Sequence, residues 1–249
     1  MKKWIFPALI LTLALGFVFW HFFPRPQSTG SSEAKGNAAL PSSPAGSRPS
    51  FESLFPLNPK LEEKKNELTA KVFSDTETGR KLADVVVLFN QGSLPEIHPH
   101  EASRMAFELA ALRKDPDQTF KNLNSNLKNL PPEYAAEKQF LLQFASRLDT
   151  DKNAIGDFLA TEMKTPVTLP EDGSRPPSSF TPLTALDAMI DAGVEPAKVS
   201  QALKEALEAQ TDPAERLLLI GRYERLDREE AARLTKTYSS PPEETESQP

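Results

Sequence analysis

The residues best suited to chemistry fall in six consecutive positions, Glu96-Ile97-His98-Pro99-His100-Glu101, where two imidazoles stand either side of a proline and a carboxylate flanks each end. Imidazole and carboxylate together suit a divalent ion. A structural zinc site takes four ligands, however. The chain has no cysteine, and its third histidine, His21, lies far upstream in an apolar run, so Glu96 and Glu101 would both have to turn inward. The same six residues also read as the beginning of a helix. Pro99 fits the first helical position, and Glu101 falls near the positive end of the macrodipole. The expectation is a helix start at Pro99 with no resident metal.

Other chemistries are limited by what the chain lacks. Without cysteine there is no thiolate nucleophile, no disulfide and no thiolate metal site. There is no Gly-x-Ser-x-Gly elbow for a serine nucleophile, no Gly-x-Gly-x-x-Gly and no P-loop, and the ten glycines are scattered. With 35 acids, carboxylate pairs are plentiful, yet no spacing marks one out. One string, Glu52-Ser53-Leu54-Phe55, resembles the Glu-Ser-x-Phe of lytic transglycosylases, all-helical envelope enzymes. The resemblance implies Glu52 as a general acid. It covers four residues, and the Gly-Leu-Met-Gln segment those enzymes carry shortly downstream is missing. Phe51, Leu54 and Phe55 also read as pins holding a linker onto the domain that follows. On this reading no catalytic, cofactor-binding or metal-ligating residue is assigned, and a carboxylate-dependent envelope hydrolase or a small-ligand binder stands as the alternative function.

What would position any site is an unusual arrangement of segments. Trp4 to Phe23 is an uncharged run of twenty residues, long enough as a helix to span the roughly 30 Å hydrocarbon core of a bilayer. Lys2 and Lys3 precede it, so residues 1–3 are expected on the cytoplasmic side and the rest of the chain across the membrane. Trp4 and Trp20 lie near its two ends, as interfacial aromatics do. His21-Phe22-Phe23-Pro24 follows directly, which offers no small-residue cleavage site, so an uncleaved signal anchor over 4–23 is expected. Residues 24–50 are rich in Pro, Ser, Gly and Ala and are expected to be a disordered linker reaching roughly 30 Å.

From Phe51 onward, 24 Lys and Arg face 34 Asp and Glu, a net charge of −10. A body of that sign repels phosphate backbones, so nucleic acid is not an expected partner. Its pattern is helical throughout. Asn58-Pro59, Asp115-Pro116 and Asp212-Pro213 pair an N-cap residue with a proline at the first helical position, and His98-Pro99, Thr181-Pro182 and Glu195-Pro196 are weaker forms of the same device. Apolar stripes follow: Ala102, Met105, Leu109 and Leu112; Phe120, Leu123, Leu127 and Leu130; Leu141, Phe144 and Leu148; Ile155, Phe158, Leu159 and Met163. Later stripes run through Leu183, Leu186 and Ile190, through Val199, Leu203 and Leu207, and through Leu219, Tyr223 and Leu226. Asp227, Ala231, Leu234 and Tyr238 close the series, with Glu224–Arg228 and Glu229–Arg233 as supporting pairs.

Asp84-Val-Val-Val-Leu-Phe-Asn90 is β-branched enough to suit a strand, but Thr76 to Lys81 supplies the polar first turns of a helix, and Gly92 a stop. The sequence therefore predicts an all-α protein: a first helical part over 51–164, a Pro-rich loop or hinge over 165–180 with a turn at Glu171-Asp172-Gly173-Ser174, a second helical part over 181–238, and a disordered acidic tail over 239–249. Two consecutive helices take up about 31 to 35 residues, a period shared by stacked helical hairpins and by antiparallel bundles with short loops. The expected role is a bilayer-anchored interaction module or adaptor of a bacterial inner membrane, its helical domain periplasmic, with an envelope protein as partner.

Overall fold

The computed structural model describes residues 56–90, 99–167 and 174–239. The expected anchor 4–23, the linker 24–50, Glu52 and its string, Gly92, Glu96, His98, residues 171–173 of the expected turn and the tail beyond Ser239 lie outside the described residues.

Ten α-helices are described: α1 (Pro59–Leu68), α2 (Glu77–Asn90), α3 (Pro99–Leu112), α4 (Pro116–Asn126), α5 (Ala135–Ala145), α6 (Lys152–Met163), α7 (Thr181–Asp191), α8 (Pro196–Ala209), α9 (Pro213–Tyr223) and α10 (Arg228–Ser239). A π-helical turn, Thr69–Phe73, follows α1 directly, and 3-10 turns occupy Leu127–Asn129, Pro132–Tyr134 and Pro177–Phe180. No strand occurs among the described residues, so Asp84 to Asn90 is helical. None of the described helices is long and apolar enough to cross a membrane.

The local signals explain most helix starts. Asn58, Asp115 and Asp212 each accept a backbone N–H with their side chains, from Leu61, Gln118 and Ala214, and each is followed by proline. A cap of this kind is worth about 1 kcal/mol. Thr181-Pro182 departs from the expectation by one residue. There α7 continues straight out of the 3-10 turn Pro177–Phe180, so Phe180 occupies the cap position without a side-chain cap. At Pro132 the proline opens a 3-10 turn, and α5 begins at Ala135.

Two helices are enclosed by the rest. In α2, seven consecutive residues from Leu82 to Leu88 are buried, because α1, α3, α4 and α5 cover it on several sides. In α7, Thr181, Pro182, Leu183, Ala185, Leu186, Ala188 and Met189 are buried under α5, α6, α8 and α9. Helices apolar around most of their girth belong at such centres. Because α5 touches both α2 and α7, the packing is not confined to chain neighbours, and α7 beyond the Pro-rich loop lies directly on α5 and α6 before it.

The chain enters α2 through a tight turn. Ser74 has φ 68 and ψ 153, a conformation open essentially to glycine alone. It is held from two sides: Asn122 Nδ2 of α4 donates to Phe73 O at 3.2 Å, and the Gly79 N–H donates to Thr76 Oγ1 at 3.0 Å. A Cβ on Gly79 would fall 2.3 Å from the carbonyl oxygens of both Phe73 and Ser74, so only glycine fits there.

Candidate functional site

Of the His and Glu cluster weighed above as metal ligands, His100 and Glu101 are described; they lie in the first turn of α3 and line a cavity of about 290 Å³ with Pro56, Leu57, Asn58 and Arg104. The starts of α1 and α3 meet at this cavity. No group of three or more metal-ligating side chains gathers among the described residues.

Arg104 connects the cavity wall to a buried charge cluster beneath it. Its Nη2 donates to Asp84 Oδ2 at 2.7 Å, and Lys65 Nζ stands 3.5 Å from the same oxygen. Asp84 is 1% and Arg104 3% exposed, in a place where an unpaired charge would be prohibitive. Glu62 lies 3.6 Å from Lys65 and balances the second cation toward solvent. Burial raises the Asp84 carboxyl above its ordinary range, while the Arg104 hydrogen bond and the charges of Lys65 and Arg104 pull it down. Asp84 Oδ1 and Thr69 Oγ1 are buried with no hydrogen-bond partner among the described residues.

This cluster corrects the stripe expected for α3. Ala102 is exposed and Met105 half-buried, while Arg104 and Glu108 sit on the inward face with Leu109 and Leu112. The polar face of α1 and the buried Asp84 of α2 make room for them. The available signal was Asp84 itself, a charge heading an apolar run on a helix that is otherwise core. A second correction falls on α10, where Arg233 pairs with Glu230 at 2.8 Å rather than with Glu229. Glu230 is drawn toward the body by Lys204 of α8, 2.9 Å away. Glu224–Arg228 forms as expected, at 3.2 Å.

Further polar groups fasten the Pro-rich loop to the helices. The Gln210 side chain, buried after the end of α8, accepts from the Val167 N–H at 3.0 Å and donates to Thr165 O at 2.9 Å. Its own carbonyl accepts from Arg216 Nε at 2.8 Å, and that guanidinium lies over the Tyr238 ring. At the other end of the loop Arg175 pairs with the buried Glu215 at 2.5 Å, and Gln139 of α5 donates to Pro177 O. Burial raises Glu215, with Arg175 opposing it. Between these anchorages lies a groove of about 180 Å³ lined by Pro131, Pro132, Pro166, Val167 and the 3-10 turn at Ser178 and Ser179. Elsewhere the buried Glu162 pairs with Lys138 at 2.6 Å, and Glu137 accepts from Asn90 Nδ2 at 2.6 Å.

These buried acids are each held by a cation or an amide, an arrangement that fixes helices against one another. The outer surface is different in kind. Phe107, Phe180, Leu217 and Leu218 are large apolar side chains left exposed, and Leu217 and Leu218 are neighbours on the outward face of α9, each 42% exposed. No family model, curated protein or solved structure matches the chain.

Proposed function

We propose that this protein is a tethered helical interaction module: a bundle or short stack of helical hairpins, held to a bacterial inner membrane by residues 4–23, spaced from it by residues 24–50, and docking other envelope proteins on the periplasmic side. The observation that carries the proposal is the pair Leu217 and Leu218, exposed together on a helix whose opposite face, through Leu219, Ile220 and Tyr223, is fully seated in the core. A helix already anchored on one side and apolar on the other is suited to helix-on-helix docking. The clamping of buried charges and of the Pro-rich loop supports the same reading, because a rigid surface docks with less loss of conformational entropy.

The test is crosslinking in intact cells, followed by capture of the full-length chain and mass spectrometry. The module predicts a reproducible set of envelope proteins that disappears when residues 56–239 are deleted and residues 1–55 retained. The same set recovered with residues 1–55 alone would overturn it.

A further inference from the structure

The outward face of α9 carries Ala214, Leu217, Leu218 and Gly221 at helical spacing, all four exposed. Gly221 is the informative residue. A glycine inside a helix is costly relative to alanine, and this one has no compensating use among the described residues of its own chain. Its φ is not positive, and a Cβ built on it meets nothing within 4 Å. A close approach by a helix from outside would give the missing side chain a purpose.

We propose that α9 docks antiparallel against α9 of a second copy of this chain. The stripe reads small, large, large, small in either direction. A two-fold axis passing between Leu217 and Leu218 therefore sets Ala214 of each copy opposite Gly221 of the other and Leu217 opposite Leu218, the self-complementarity that an isologous interface requires. Two small residues facing each other let the backbones draw close while the leucines interdigitate.

The helix dipoles favour the same direction. Antiparallel pairing opposes the two macrodipoles, whereas parallel pairing aligns like with like. Two or three turns of helix bury less than the roughly 1,600 Å² of a standard interface. The contact is accordingly weak between free molecules and is reinforced when both copies are held in one bilayer, a step that rests on the tethered reading.

A chain without cysteine allows the register to be read directly. Full-length single-cysteine variants are expressed in their native membranes and treated with a short bis-maleimide. L218C, close to the axis, should crosslink to itself severalfold more than K121C, an exposed position on α4. Co-expressed, separately tagged A214C and G221C chains should give the mixed product severalfold above either self-product. L217E/L218E should remove the signal from a G221C and A214C pair while leaving the circular dichroism spectrum unchanged. L218C crosslinking no better than K121C, or A214C preferring itself, overturns the proposal. If that happens while L217E/L218E still abolishes capture of a different envelope protein, self-pairing is wrong and the docking function stands. If neither a dimer nor a captured protein is found, both fail.

Discussion

Arg104 and Asp84, one from α3 and one from α2, meet at 2.7 Å with 3% and 1% of their surfaces left to solvent, and Lys65 closes the group from α1 at 3.5 Å. Three helices thus share one carboxylate at the point where their apolar faces would otherwise simply pack.

Removing one member should be far worse than removing the pair. D84A removes the buried carboxylate that Arg104 and Lys65 share, a loss of about 3–5 kcal/mol. D84L/R104M fills the same space with apolar groups and is expected to lose much less, or to gain. Urea unfolding followed by circular dichroism, run as a double-mutant cycle, measures the difference. Equal losses for D84A and the double variant would show that packing, not charge, dominates there.

How much of this was legible depends on how far apart in the chain the partners lie. Asn58-Pro59, Asp115-Pro116 and Asp212-Pro213 announce helix starts because cap and proline act within four residues, and those helices begin where expected. The stripes through Phe120, Leu123 and Leu127 and through Ile155, Phe158 and Leu159 are buried, since a periodic apolar face has nowhere else to go. The buried set Lys65, Asp84 and Arg104 left one signal in the sequence, Asp84 heading an apolar run; Lys65 and Arg104 are ordinary helix-surface residues until three helices are brought together. The same holds for Gln210, whose contacts with Thr165 and Val167 span more than forty positions. The π turn Thr69–Phe73 carries no local sequence signal that distinguishes it from a continued α1.

Gln210 makes a second prediction. Its amide satisfies one carbonyl and one N–H of the loop, and Q210A leaves the buried Val167 N–H without its acceptor, which costs about 1–3 kcal/mol. The loosening should be local. Limited trypsin digestion, with Lys164 and Arg175 as flanking sites, should cut Q210A markedly faster than wild type. Q139A, which removes only an exposed contact to Pro177 O, should change little. Equal cleavage of wild type and Q210A would show that the loop is held by its other contacts.

The carboxylates predict an unusual pH dependence. Burial raises Asp187, Asp84 and Glu215 in the folded state, with their arginine neighbours, and Lys65 beside Asp84, opposing it. A raised carboxyl binds its proton more readily folded than unfolded, so stability rises as pH falls from the folded value toward the ordinary value of about 4. Hydrogen bonds and charges from Lys71, Lys81, Lys164 and Lys204 lower Glu67, Glu77, Glu205 and Glu230, whose contributions are lost only below that ordinary range. The urea midpoint should therefore climb between neutral pH and the weakly acid range, then decline. D187N should flatten the climb, because it removes one of the raised carboxyls, and its ion pairs with Arg222 and Arg225 are half-exposed and cost little to lose. A midpoint that falls steadily from neutral pH downward would contradict this.

Two glycines should respond to alanine in opposite directions. At Gly79 the added methyl would collide with the carbonyls of Phe73 and Ser74 at 2.3 Å, and the turn that feeds α2 must open, so G79A is expected to destabilise the whole body. At Gly221 there is open space, and G221A should stabilise the isolated fold by up to about 1 kcal/mol through helix propensity. That gain carries a penalty on the outside. A methyl at position 221 pushes away whatever approaches α9 there, so G221A should raise the urea midpoint and at the same time reduce L218C self-crosslinking in membranes. The two readouts moving in opposite senses is the signature of a residue kept for an interface; a G221A chain that is both more stable and equally crosslinked would show that the glycine serves no close contact.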